Sequence, residues 1–276
     1  YAAGRHPLAG IAAAFAGVLK AATATAYETR RQLRRLDDLT RTLLSGTIYD
    51  RANAVLGIVG TFTGTDVSTF TRLVASLRDA NTTLVNDAAG YVTAWQDVCD
   101  TLTDEADGRA LVSALLGTEQ DPGPFLQSQA ARIAGGAATQ SAENALEDAA
   151  DTDMMLVSTA LTAVATLATE ADWTVYDDAI SARDAIAAQF GTVIEYVTDP
   201  NMLAALQDTQ AAVLERLTVE AADLPRLRTI EIIISRPAVE LAYALYGDPG
   251  RAIEIITRNS IADPNVVSGA VRVLTE

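Results

Sequence analysis

Few residues in this 276-residue chain have types that could carry chemistry. Its one histidine, His6, stands in a stretch containing Gly and Pro, with no carboxylate spaced to orient it, so a histidine-based triad has no base. Its one cysteine, Cys99, follows Trp95 in a helical pattern and reads as a small buried apolar group rather than a nucleophile. Alone it cannot close an intrachain disulfide, and with a single histidine it leaves a zinc site short of ligands. The stretch "LTDEADGRA" has the look of a calcium loop. Aligning Gly108 with the required glycine, however, puts Thr103 at the first ligand position and Ala114 at the last, where a bidentate glutamate is needed. Asp148, Asp151 and Asp153 could share a cation if the chain turned there; a solvated helix terminus is the plainer expectation. Gly57, Gly60 and Gly64 match neither phosphate-binding glycine pattern. Among 36 acidic residues, no two are singled out as a general acid and base. The sequence therefore predicts no enzyme, no cofactor and no metal.

Charge narrows the partners. The net charge of -16 repels phosphate backbones and anionic membrane surfaces unless a basic patch intervenes. The single concentration of basic residues is Arg30, Arg31, Arg34 and Arg35, read either as a solvated helix face with pairs such as Arg34 to Asp38, or as a face toward an acidic protein partner. Neither direct nucleic-acid binding nor a membrane is expected. The apolar run Leu8–Leu19 stops at Lys20, short of the roughly 20 residues a span requires, so a soluble chain is expected. The start at Tyr1 rather than methionine suggests part of a longer polypeptide, or a processed one.

Helices must position whatever function exists. With 49% hydrophobic but only 5% aromatic residues, the core has to close around Ala, Leu, Thr and Val, which favours closely spaced helices. Positions 22, 26, 29, 33, 36, 40 and 43 repeat with coiled-coil-like spacing, and Leu203, Leu206, Gln210, Val213 and Leu217 form a second seam. Residues 50–64 allow a loop or a glycine-tolerant helix, and 66–102 one or two amphipathic helices. Helical patterns recur over 126–150, 154–170 and 177–197, with interruptions near Asp172 and at Thr198–Asn201. Pro122 and Pro124 around Gly123 make Gly117–Phe125 a boundary or long connection, and Pro225 a second boundary. The expected domains are a helical region over 1–120, a second over 121–225 that is either separate or one bundle with the first, and a small module over 226–276.

That last segment has its own texture. "TIEIIIS" (Thr229 to Ser235) reads as a strand, or alternatively a buried helical turn. Pro237 then suits the first turn of a helix with Val239, Leu241, Ala242 and Leu245 as apolar positions, stopped by Gly247. Asp248 can cap a second helix bearing Ala252, Ile253, Ile255 and Ile256. Asn259 ends it, Pro264 forbids continuation, and Gly269 turns the chain into a last strand, "AVRVL".

This order resembles a LysM-type module. More closely, Arg236 to Leu274 resembles the end of the DNA circularisation proteins of Mu-like bacteriophages, which are similar to tail and baseplate components. The residues that carry the resemblance are Pro237, the Ala242/Tyr243 pair, Tyr246-Gly247-Asp248, Arg251, Ile255, Arg258-Asn259, Ile261, Pro264 and Gly269. Two departures stand out: the family's N-terminal domain has no counterpart here, and "PNVV" replaces an aromatic-containing sequence after the proline. The resemblance implies a mainly α protein, a long helical bundle followed by a small βααβ LysM-like module, with Pro237, Tyr243, Tyr246, Gly247, Asp248, Arg251, Arg258, Asn259, Pro264 and Gly269 as its structural and docking motif. It further implies a structural tail-baseplate component, assembled in the host cytoplasm in several copies and contacting hub, tube or wedge proteins. The alternative is peptidoglycan binding in a groove near Ser235, Arg236 and Asn265. A third reading, action on DNA ends, conflicts with the acidic balance.

Overall fold

A computed structural model of the chain describes residues 16–21, 24, 51–79, 88–118, 120–135 and 140–275. The first predicted seam, His6 and the cluster Arg30, Arg31, Arg34 and Arg35 lie outside the described residues. Over the described residues the protein is mainly helical with one small two-stranded antiparallel sheet, in keeping with the helices that the composition favours. It divides into two compact units, Tyr1–Ala171 with Ala182–Arg216, and Asp172–Ser181 with Leu217–Glu276.

In the first unit, residues 51–58 are helical and continue into a 3₁₀ turn, Val59–Thr61. Helices α1 (Val67–Asp79), α2 (Ala88–Cys99), α3 (Glu105–Leu116) and α4 (Pro124–Ala134) follow. Then comes α5 (Gln140–Glu170), the axis against which α2, α3 and α4 pack. Two helices were expected over 126–150 and 154–170; the observed break lies instead between α4 and α5, and α5 runs unbroken through residues 150–154. It is long and apolar enough to cross a membrane by composition, yet most of that stretch is buried, as in an interior helix. Its threonines make this burial tolerable. Thr152, Thr159, Thr162 and Thr166 each donate to the carbonyl four residues earlier, so their hydroxyls are satisfied within the helix. Gly108 lets α3 approach closely, since a Cβ there would stand 2.8 Å from Cγ2 of Val164. Cys99 is a free, buried thiol whose pKa burial drives far up, in keeping with its apolar reading.

The expected break at Gly117–Phe125 is a tight turn inside this unit. The Gly117 amide donates to Ser113, the Gly123 amide returns to Leu116 at 3.0 Å, and Pro124 begins α4. Helices α6 (Tyr176–Ile194) and α7 (Pro200–Ala221) complete the helical series, with Asp199 capping α7 through the amides of Asn201 and Met202. On α7 the fully buried line is Met202, Leu206, Thr209, Val213 and Leu217. Leu203 and Gln210 of the predicted seam are only half-buried, because a straight helix drifts off the heptad.

The second unit is built around strands β1 (Leu227–Arg236) and β2 (Val267–Leu274), between which lie α8 (Ala238–Tyr246), a 3₁₀ turn (Pro249–Arg251) and α9 (Ala252–Arg258). Its first edge is not Pro225. The Tyr176 amide donates to the Pro225 carbonyl, Asp177 accepts from the Leu227 amide at 2.6 Å, and Arg226 lies 3.9 Å over the Tyr176 ring, which ties the start of α6 to the start of β1.

Candidate interaction surface

The second unit is stapled from both ends of its ladder. Leu227 pairs with Leu274, Ile230 with Val271 and Ile232 with Gly269, after which the register slips and Arg236 pairs with Val267. Alternation sends Ile230 and Ile232 to one face, where they pack on Leu241, Ala242 and Ile255 from the two helices. The core is small: eight fully buried residues, three of them alanine. A core of that size leaves much of the work to caps and braces.

Those braces are the residues the sequence singled out. Pro237 occupies the cap position of α8, just before the first turn where it was expected, and the Ala238 amide donates 2.7 Å to the Pro264 carbonyl. Gly247 sits at φ 68°, the left-handed conformation that ends α8, and its amide returns to Tyr243. Asp248 caps the 3₁₀ turn through the Gly250 amide at 2.8 Å. The Tyr246 hydroxyl accepts from the Leu274 amide at 2.9 Å, while Arg251 stacks 3.6 Å over its ring. Glu254 joins Arg251 at 3.0 Å and Arg258 at 2.6 Å. Partial burial pushes its carboxyl up, but hydrogen bonds and the two guanidiniums outweigh this and hold it below the ordinary range. Asn259 ends α9, and its amide both donates to the Arg272 carbonyl and accepts from the Arg272 amide, each at 2.8 Å, as a neighbouring strand would. Gly269, at φ 80°, lies inside β2 opposite Ile232, so the last strand begins before it, at Val267.

Nine of the ten motif residues therefore end, turn or brace elements of the unit, Pro237, Gly247, Asp248 and Pro264 while exposed; the Tyr243 side chain points out, 64% exposed. Two positions assigned to the apolar faces, Val239 and Ile253, are likewise exposed. Where the register slips, Ile233, Ile234 and Ser235 stand opposite Ser268 alone, and Ile233 and Ile234 are 90% and 75% exposed. Val239 and Tyr243 form one helical stripe, and Val266 directly precedes β2. Ile234, Val239 and Val266 thus belong to the end of the unit where β1 leaves and β2 enters, held by the Ala238–Pro264 bond. Exposed aliphatic side chains of this kind are what a docking surface requires. Ser235, Arg236 and Asn265 share this end; Arg236 reaches Glu240 at 3.6 Å and Asn265 bonds Asp263. Exposed isoleucines inside a predicted strand had no sequence signal, since the slip that exposes them is a feature of pairing.

The acidic residues weighed as metal ligands do other work. Asp148, Asp151 and Asp153 lie within α5, not at a solvated terminus. Asp148 and Asp153 are buried, Asp153 forms an ion pair with Arg51, and Asp151 faces Arg132 at 3.8 Å. Asp104 caps α3, and Asp107 accepts the amides of Thr63, Gly64 and Thr65 at 2.8–3.0 Å. Burial raises the Asp107 carboxyl, but those hydrogen bonds dominate and lower it. Among the described residues no cluster of three His, Cys, Asp or Glu is placed to hold a metal. In the second unit an open cleft of about 420 Å³ is lined by Asp178, Glu254, Arg258 and Arg272, charges that largely answer one another.

No protein-family model matches the chain, and no curated protein matches it.

Proposed function

We propose that the chain is a structural component of a phage or phage-like tail baseplate, acting by assembly contact rather than turnover. The unit built on β1 and β2 is its LysM-like docking module, and hub, tube or wedge proteins are its partners in the virion tail. The observation that carries this reading is the exposure of Ile234, Val239 and Val266 at the end of the unit where β1 leaves and β2 enters, together with exposed Ile233 and Tyr243. Exposed branched aliphatics in a well-braced frame suit a protein partner, which can desolvate them, far better than a sugar. The resemblance of Arg236 to Leu274 supplies the tail setting. In assembled particles, Ile234→Asp is expected to leave the chain folded in solution but absent from the particle; undiminished incorporation would reject this surface.

A peptidoglycan-binding role is the second reading, favoured by the exposed Tyr243 ring and by Ser235, Arg236 and Asn265 at the same end. Retention on purified cell-wall sacculi, lost in Tyr243→Ala, would select it over docking.

A further inference from the structure

The two outer edges of the sheet are treated differently. On β2 most outward-pointing groups from Arg272 onward are occupied, the Arg272 amide and carbonyl by Asn259 and the Leu274 amide by the Tyr246 hydroxyl, which leaves Ala270 open among the described residues. Because Arg272 turns its backbone outward, its partner Thr229 does so too on β1, and alternation adds Glu231 opposite Ala270. Both residues are exposed, and no group among the described residues bonds to their amides or carbonyls. The edge is closed only at its start, where Asp177 takes the Leu227 amide.

Side chains beside this open edge carry a pattern. On the face shared with the helices, β1 presents Arg228, Ile230, Ile232 and, beyond the slip, Arg236: two isoleucines between two arginines spaced about 20 Å apart. Arg228 is exposed and forms no ion pair among the described residues; Arg236 has only the long contact to Glu240. A second copy of β1 fits badly. Antiparallel self-pairing that superposes the isoleucines sets Arg228 against Arg236 twice and Glu231 against itself.

We infer that the outer edge of β1 accepts an extended segment of a partner protein as a third strand, its alternate residues apolar and flanked by Asp or Glu. Backbone bonds at Thr229 and Glu231 fix it, the isoleucines take its apolar residues, and the arginines select its ends. The inference rests on reading this unit as a protein-docking module and adds the mode of docking and the chemistry of the partner.

The test pans the full chain against displayed random peptides and compares binding to Thr229→Pro. That substitution removes an outward amide and leaves the β1–β2 ladder intact. Enriched peptides are expected to alternate apolar residues between flanking carboxylates, to weaken as salt rises, and to bind Thr229→Pro about five- to tenfold more weakly. Methylating the backbone nitrogens on the bonded edge of such a peptide should abolish binding to the unaltered protein, which guards against misfolding of the variant. No enrichment, or peptides indifferent to both changes, overturns strand addition. Peptides that ignore both changes but are lost in Ile234→Ser would overturn it while leaving the aliphatic docking surface standing.

Discussion

Asp107 and Asp153 are both buried carboxylates, and each is stabilised by different means. Asp107 gathers three amides of the turn at Thr63–Thr65, so Asp107→Ala orphans them and should cost about 2 kcal/mol, read as a lower urea midpoint. Asp153 depends on Arg51, whose guanidinium also donates 2.9 Å to the Ala149 carbonyl. Arg51→Leu strands a buried carboxylate and is expected to cost about 3–5 kcal/mol, whereas adding Asp153→Leu should restore most of that loss. A double variant as unstable as the single one would refute this assignment. Acid sensitivity follows from the carboxylates that hydrogen bonds hold low, Asp66 and Asp107. Hydrogen bonds from Thr69 and Ser68 lower the Asp66 carboxyl from 3.8 to about 2, and Asp107 is lowered as well. Their contribution is present above the unfolded value and fades as pH falls through the folded one, so acid unfolding should steepen below about pH 4 and be blunted in Asp66→Asn. Asp66 followed by Ser68 and Thr69 offers a helix cap from sequence alone, but the partners of Asp107 and Asp153 were not legible there. Arg51 and Asp153 are 102 positions apart, and spacing rules reach only neighbours on one element.

Caps and breakers were the readable part at the scale of elements. Pro237, Gly247, Asp248 and Asn259 end or begin elements at or within one residue of the expected places, because local backbone preference decides such positions. Apolar faces were less readable: Val239 and Ile253 satisfy a helical pattern and still face solvent, since a seven- or nine-residue helix has room for only one buried stripe. Continuity through residues 150–154 was missed for a related reason, three acidic residues in one stretch imitating a solvated end while tertiary partners bury two of them. Asn259 does more than end α9; it stands in for a strand beside β2. Asn259→Ala is expected to cost about 1–2 kcal/mol and to speed hydrogen exchange of the Arg272 amide, with unchanged exchange there contradicting the bracing role. Along α3, Gly108→Leu should overpack the approach to Val164 and cost about 1–3 kcal/mol in the same denaturation assay.

For the whole molecule, charge is divided as unevenly as form. Residues 226–276 carry six arginines against six carboxylates, so the net -16 resides entirely in residues 1–225. Residues 226–276 are thus neutral, with aliphatic side chains at one end and an open strand edge flanked by arginines, while the preceding helical part repels polyanions. Composition foretold the mainly helical fold. The division into units was only partly legible, because Asp172–Ser181 joins the second unit through hydrogen bonds to residues about 50 positions away. The measurement that tests the account most directly is cryo-electron microscopy of intact particles from the source. The account predicts symmetric copies of this chain at the tail tip, with Ile233, Ile234 and Val239 buried against a neighbouring tail protein. Particles whose tails lack the chain, or hold it with that end facing solvent, would contradict it.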